Sequence, residues 1–524
     1  MCRITGVALA LLLVFSSSVQ ATKPPKAGDA GAGYVVMSFP SLEFPVHVSV
    51  RSTEKKDYDV PVLSGTHEPA AGVWLPAGDY RLFRWGGREV GEYPSFHVDA
   101  GAITDLGGLV PIEVGAYRGI VVPVRTDATA IATKDAVKAL GTLAAQPEPI
   151  AWQPSSAPLQ LADQGAASPL PGLIPLGLAA IERKRGKPPM SERLSTDKDS
   201  RHVLDIARES AVPVMKLPTI DERKRLLFGA ELGQIRVRDE TGLWTSIDTG
   251  SLHRVTALGA SGQTLVAGMD DGSIRSSLDG GVHWTEVSRL DCEGGRITDV
   301  SFSGKQWAVT AFGLNEWNFA GLPPMFKMTR VCVYLSADAD PAHLVRKQRV
   351  DFEPRLMITD LHSHITPTGY FVSVSPDLMR LDFTTGSWQR LPFDGSIDGF
   401  SYNDANDTVV AFHPQGAFSK VFVSPDGGAT WKRVSRPPYV IGDVRFLSPT
   451  EGYAVRLNAK AFSVQRELYR YDAARDDWSM TKALPEDCVG LLNDGEGKPA
   501  YCLSRGGSIL NLAQTPMAVE YLRD

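Results

Sequence analysis

No apolar run in this chain approaches the roughly 20 residues a membrane-spanning helix needs. The longest, between Gly6 and Ser16, is only about 10 residues, half of that requirement. It follows Arg3 and runs into SSSVQA ending at Ala21. A short basic stretch, an apolar stretch and small residues at Val19 and Ala21 form the pattern of a secretory signal peptide cut near Ala21. The sequence therefore predicts a mature chain that is periplasmic or secreted, with no transmembrane segment. No lipidation pattern precedes Cys2. Strong charge of either sign is also missing. The formal net charge is −6 over 524 residues, and the basic runs Arg183–Lys187 and Arg223–Arg225 are short. Such runs mark solvated helix ends, and nucleic acid is excluded as an expected partner.

Cysteine is scarce, with five in the whole chain. Cys2 leaves with the signal, so Cys292, Cys332, Cys488 and Cys502 remain in an oxidising compartment. Three pairings are possible. Cys488 with Cys502 is favoured, because Asp494-Gly495-Glu496-Gly497 between them reads as a hairpin turn that brings the flanking strands face to face. Cys292 with Cys332 would then staple a second sheet.

What the chain does have is short alternating strands. After a Lys/Pro/Gly/Ala-rich leader at 22–33 that is expected to be disordered, residues 34–125 alternate in runs separated by turn clusters, the pattern of a small β-sandwich. Residues 126–211 change character, with a helical composition over Ala128–Ala145, a Pro/Ala/Ser/Gln-rich stretch over Pro147–Pro175 and a second helical pattern over Ser200–Ala211. This reads as a linker. From 212 to 524 tryptophans recur after hairpin-like turns. Trp244 and Trp284 are 40 residues apart, Trp388 and Trp431 are 43 apart, and Trp431 and Trp478 are 47 apart. A period of about 40–50 residues of short strands is the signature of a β-propeller. Turn counting predicts seven blades, with six and eight as the neighbouring counts. The fold class expected is all-β: a seven-bladed propeller preceded by a small sandwich and a helical, Pro-rich linker.

Two turns stand out within the repeats. Ser277-Leu278-Asp279-Gly280-Gly281-Val282-His283-Trp284 and Ser424-Pro425-Asp426-Gly427-Gly428-Ala429-Thr430-Trp431 both read S-x-D-x-G-x-x-W. Ser and Asp side chains can accept from turn amides a few residues on. Gly281 and Gly428 supply a positive φ that a side chain resists, and each Trp offers a large packing surface. Degenerate versions occur at Asp239–Trp244, Asp382–Trp388 and Asp472–Trp478; in the first two, Gly242 and Gly386 sit one place nearer the Trp.

The two full turns resemble Asp boxes, the bacterial neuraminidase repeat of sialidase-type propellers. The resemblance covers about 300 residues and implies a propeller in which the Asp boxes lie away from the catalytic face. Asp279 and Asp426 would then be structural. A sialidase also carries an aromatic-Arg-Ile/Leu/Val-Pro segment before the first box, and no such segment is found. Arg296-Ile297-Thr298 lacks the proline and follows a box, while Arg236-Val237-Arg238 has neither aromatic nor proline. Arg275, Arg330, Arg355 and Arg445 sit in no matching context, so no catalytic residue is assigned.

His362-Ser363-His364 puts two imidazoles on one side of a strand. No third ligand stands at a recognisable spacing, so no metal is expected, and no cofactor either. Leu314–Met328, by contrast, is too aromatic for a solvated loop. Trp317, Phe319, Met325 and Phe326 in it suit an adaptable contact surface, although the same residues could fold back onto a neighbouring blade. The sequence thus points to an exported, non-enzymatic binding or assembly protein whose partner is an envelope protein or a glycan. This is similar to the use of propellers by photosystem assembly factors and sortilin-like receptors. A carbohydrate-active hydrolase, sialidase-like or endo-glucanase-like, and a glycan-binding protein are the alternatives.

Overall fold

The computed structural model describes residues 22–124, 148–149, 157–161 and 193–521, apart from short stretches that include 42–45, 64–68, 318–324, 356–362, 414–419 and 437–440. The segment read as a signal peptide, the helical pattern at Ala128–Ala145 and most of the Pro-rich stretch lie outside the described residues. The chain divides into two compact units. One comprises 1–39, 45–113 and 117–177; the other is mainly 178–524.

The first unit holds two sheets. In one, Ala32–Ser38 pairs antiparallel with Ala70–Pro76 on one side and parallel with Ile103–Gly115 on the other. Two short strands from the region read as linker, Glu148–Pro149 and Leu159–Gln160, join this sheet. In the other, Val48–Ser52 lies between Asp57–Val60 and Gly78–Trp85. Alternation shows directly in Gly78–Trp85, where Tyr80, Leu82 and Trp85 are buried and Asp79 and Arg81 are exposed, as expected of a strand with one face on a core. The Tyr80 hydroxyl donates to the Pro76 carbonyl at 2.8 Å, closing the bend around Gly78.

The second unit opens with the helix Ser200–Glu209. Asp199 caps it by accepting from the Arg201 amide at 2.9 Å, and Ser200, Val203, Ile206 and Ala207 form its buried stripe. Beyond it, the described residues form seven four-stranded antiparallel meanders in chain order. We label these sheets I (219–248), II (255–289), III (296–355), IV (363–390), V (399–434), VI (441–483) and VII (488–521). A sheet with two apolar faces must cover both. Here each pair of consecutive sheets shares one apolar cluster: Val237 with Val255, Ile274 with Trp307, Phe312 with Tyr370, Phe371 with Phe400, Val423 with Phe446, and Leu468 with Cys502 mark the successive interfaces. The last cluster joins Phe228 of sheet I to Leu492, Tyr501 and Ile509 of sheet VII. The ring is closed, which makes this unit a β-propeller.

Among the described residues no strand is shared between the first and last sheets, so side chains close the ring. Arg238 on sheet I makes two hydrogen bonds to Glu520 on sheet VII, at 2.6 and 3.1 Å, and Trp244 Nε1 donates to the same carboxylate. The helix adds a second tie, because its C-terminal carbonyls accept from both neighbours. The Glu209 carbonyl takes hydrogen bonds from Arg236 of sheet I and from the Tyr521 hydroxyl of sheet VII, and Arg236 also donates to the Ala211 carbonyl.

Candidate interaction face

A four-stranded meander places its 1–2 and 3–4 turns at one end. The 2–3 turn and the connections to neighbouring sheets lie at the other. Both S-x-D-x-G-x-x-W segments are 3–4 turns, of sheets II and V. Their bonding is nearly superimposable. Ser277 Oγ donates to Asp279 Oδ1 at 2.7 Å and accepts from the Gly281 amide at 2.8 Å. Ser424 does the same with Asp426 and Gly428 at 2.7 and 2.8 Å. The Asp279 carboxylate also accepts from the amides of Val282 and His283, and Asp426 from the amide and hydroxyl of Thr430. Trp284 and Trp431 donate back to the carbonyls of Gly281 and Gly428, and each indole packs against the cluster shared with the preceding sheet. Gly281 has φ +101°, and a Cβ there would lie 2.8 Å from Ile247 Cδ1, so only glycine fits.

These carboxylates are spent on the turn. Hydrogen bonds from the His283 amide, Ser277 and the His283 ring hold Asp279 well below the usual carboxylate range. Those from the Thr430 hydroxyl and amide and from Ser424 lower Asp426 to about 2. Asp426→Ala is expected to lower the thermal midpoint by about 2–4 °C. Asp426→Asn, which keeps the Oδ1 acceptor, should lose less; differential scanning calorimetry checks both. Asp239 and Asp382 organise their turns without a serine, each accepting from two amides through one oxygen.

The opposite end carries the features that differ between sheets. The second strands of sheets II, IV and V are 6 residues long. Those of sheets III and VI are 11 and 10, Trp307–Trp317 and Glu451–Lys460. In sheet III the first strand stops pairing at Arg296 opposite Phe312, while the second and third strands continue to Trp317 opposite Met325. In sheet VI pairing with the first strand ends at Arg456, and the hairpin runs on to Lys460 opposite Ser463. Two hairpins therefore overhang the same end of the ring. The stretch expected as an enlarged loop is, in its backbone, the tip of the sheet III hairpin. Trp317, Met325 and Phe326 lie on its paired strands, and Phe319 lies outside the described residues.

Both disulfides sit at the roots of these hairpins. Cys292, in the connection entering sheet III, bonds Cys332 of the third strand, whose partner across the hairpin is Ala311. Cys488 bonds Cys502 in sheet VII. The Cys488 carbonyl accepts from Arg466, the residue opposite Leu457 at the base of the sheet VI overhang. The pairing favoured from the Asp494 turn is the one formed, and Asp494 Oδ1 caps that turn by accepting from the amides of Glu496 and Lys498.

A buried polar network at this same end escaped the sequence. His253, in the connection entering sheet II, faces Asp270 at 2.9 Å and Asp271 at 3.6 Å. All three side chains are at most 3% exposed. Arg289 donates to Asp271 at 2.8 Å, and Ser273 donates to it through both amide and hydroxyl. Burial would raise the Asp271 carboxyl, but the charges of His253 and Arg289 and the Ser273 hydrogen bonds outweigh it and bring it to about 2. The three side chains could in principle ligate a cation. Arg289, however, already supplies positive charge to Asp271, and solvent does not reach the carboxylates. The donor set does not suit an exchangeable metal or a general acid. Nothing in the local sequence beyond Asp270-Asp271-Gly272 announced the network, because its histidine comes from another turn.

Of the two histidines singled out, His362 lies outside the described residues. His364 stacks on Tyr402 with ring centroids 4.6 Å apart. Arg275 and Arg330 fall on third strands of different sheets, II and III.

No model of a known protein family matches this chain, and no curated protein matches it. Among solved structures it is similar to YCF48 from Cyanidioschyzon merolae, at 12% identity and a TM-score of 0.37, covering 60% of this chain and 95% of that one. A second structure, YCF48 bound to D1 peptide, gives 11% identity, a TM-score of 0.37 and coverage of 60% and 92%. The WD40 β-propeller domain of Doa1 gives 7% identity, a TM-score of 0.35 and coverage of 58% and 92%. The propeller fold itself follows from the strand pairing and the closed ring of clusters.

Proposed function

We propose that this chain is an exported, non-enzymatic interaction scaffold: a small β-sandwich at 34–125, a linker at 126–211 and a seven-bladed, Asp-box propeller of the sialidase-like kind at 212–524. The partner is an envelope protein that docks at the sheet III hairpin, through the segment that holds Trp317, Phe319, Met325 and Phe326. One observation carries this reading. The hairpin overhangs its neighbours while its root is fixed by the Cys292–Cys332 bridge, and a rigid scaffold presenting a distinctive projecting element is how propellers serve recognition. Two disulfides fit an oxidising compartment, in line with cleavage of a signal peptide near Ala21. Among the described residues no helix is long and apolar enough to cross a membrane.

Trimming 315–328 to a short Gly/Ser loop tests the docking site. Crosslinked affinity capture of the tagged mature protein from its native envelope, read by mass spectrometry, is expected to recover one envelope protein reproducibly and to lose it on trimming. Recovery unchanged by the trim would remove the hairpin from the reading. Recovery of glycan-bearing material alone would remove the protein partner.

A further inference from the structure

The first unit holds a cavity of about 610 Å³ between the leader and the sandwich, within the roughly 300–1,000 Å³ of small-molecule sites. The leader, read as disordered from its composition, forms the outer wall as an arch. At one foot the Thr22 amide donates to the Asp57 carbonyl at 2.7 Å, and at the other the Ala77 amide donates to the Gly31 carbonyl at 2.7 Å. Between them the Asp29 amide donates to the Lys26 carbonyl at 3.1 Å, and the Lys26 amide to Asp29 Oδ2 at 2.7 Å. These bonds turn the arch back toward the sheet and hold it above Tyr58 and Pro76.

The lining has a distinct chemistry. Tyr58, on the edge strand Asp57–Val60, is only 4% exposed, and its ring packs edge-on against Tyr80 at 6.0 Å. The Tyr80 hydroxyl is spent on the Pro76 carbonyl. That of Tyr58 has no hydrogen-bond partner among the described residues, and the residue lines the cavity, so the phenol can donate to whatever enters. Lys23 and Lys26 are exposed, and among the described residues neither pairs with a carboxylate, whereas nearby Lys56 is bound to Glu54 at 2.8 Å. Asp29 is the one acid of the lining, and its Oδ2 already takes the Lys26 amide. Asp57 and Asp59 flank Tyr58 and so face the other side of the strand, where Arg51 and Ser49 donate to them at 2.8 Å. Pro24, Pro25 and Pro76 supply apolar walls.

We propose that this cavity binds a small carboxylic acid with an apolar body, as its anion. The Tyr58 hydroxyl donates to the carboxylate, and the Lys23 and Lys26 ammonium groups supply charge, an arrangement stronger than a neutral hydrogen bond. The body lies against the three proline rings. Two lysines against one engaged acid suit a single negative charge. No arginine is among the described lining residues, which sets the site apart from the guanidinium forks that select phosphate.

Ligand-observed NMR titration of the mature protein with 4-phenylbutyrate, 4-phenylbutan-1-ol and 4-phenylbutylamine tests this with one body and three head groups. The acid is expected to bind with a Kd of about 1 mM or tighter, and the alcohol and the amine at least about tenfold more weakly. Tyr58→Phe keeps the ring and removes only the hydroxyl, and should weaken the acid about tenfold. Lys23→Gln combined with Lys26→Gln should remove most of the salt dependence of binding. Bound acid should slow amide exchange at 22–32 and 57–58 and leave the propeller unchanged. Equal affinity for the three head groups, no binding of the acid at about 10 mM, indifference to Tyr58→Phe, or protection away from the arch would each overturn the site. None of these outcomes depends on residues 315–328, so the docking reading at the sheet III hairpin stands or falls separately.

Discussion

His253→Leu is expected to destabilise the propeller by about 3–5 kcal/mol in urea unfolding at pH 7, the scale for removing one partner from a buried ionic group. Leucine fills most of the imidazole volume, so the loss is not a cavity effect. It comes from stranding Asp270, whose carboxylate faces the ring at 2.9 Å, and from leaving Asp271 with Arg289 as its one neighbouring cation in that network. The pH dependence distinguishes this from simple mispacking. The Asp271 carboxyl titrates at about 2 in the folded protein against an ordinary 3.8. A depressed carboxylate contributes stability that is present above the unfolded value and lost as pH falls through the folded one. In the parent this contribution is full above about pH 4 and fades toward pH 2. Without His253 the folded value rises, so the variant should begin losing stability at a higher pH. Urea midpoints from pH 7 to pH 3 check both the size and the displaced acid limb. Asp271→Asn should flatten that limb in the parent. A His253→Leu variant within about 1 kcal/mol of the parent would mean that the network holds nothing together.

How much of this was legible in the sequence depends on the distance over which each feature is encoded. The S-x-D-x-G-x-x-W turns lie within eight consecutive residues, and the Ser, Asp and Trp side-chain hydrogen bonds that shape them are internal to that window. The Cys488–Cys502 pairing was readable for the same reason, since the Asp494 turn stands between the two cysteines. Tryptophan spacing exposed the repeat because each Trp opens or flanks a fourth strand and packs at a sheet interface. Other features are set by register or by distant partners. Strand direction leaves no mark in alternation, so the parallel pairing of Ala32–Ser38 with Ile103–Gly115 was invisible. The Pro-rich stretch hid Leu159–Gln160 because two residues suffice to add to an existing sheet edge. In sheet III, Pro323-Pro324 and the crowded aromatics masked the fact that the flanking residues continue a hairpin. The hairpin overhangs because the first strand stops at Arg296, and only the full pairing register shows that.

The longest-range feature carries the second large prediction. Glu520→Ala is expected to cost about 2–4 kcal/mol, because it opens the clasp between sheets I and VII. Glu520 and Arg238 are separated by 282 residues and are 14% and 18% exposed. Pairing raises the Arg238 guanidinium above its ordinary value, and because both side chains are less than a fifth exposed, solvent screens the pair only in part. Glu520 is shared further, since Trp244 Nε1 and Asn511 Nδ2 also donate to it. The alanine variant therefore strands three donors at one interface. Six of the seven interfaces join sheets that are consecutive in the chain, and covalent connection limits how far those can drift. The seventh has no such restraint and, among the described residues, no shared strand, so side-chain contacts and the tie through the helix's Glu209 carbonyl oppose opening. Loss of the clasp should thus unzip the ring from its ends, with amide exchange accelerating first in 488–521 and 219–248 and the central sheets III to V unchanged. Removing Arg238 as well should restore part of the loss, because the second change eliminates the unpaired buried charge. A double-mutant cycle of Arg238→Met and Glu520→Ala, read by urea unfolding and hydrogen exchange, gives the coupling. Uniform acceleration across all seven sheets would instead mean that the ring unfolds as one unit and the clasp is one contact among many.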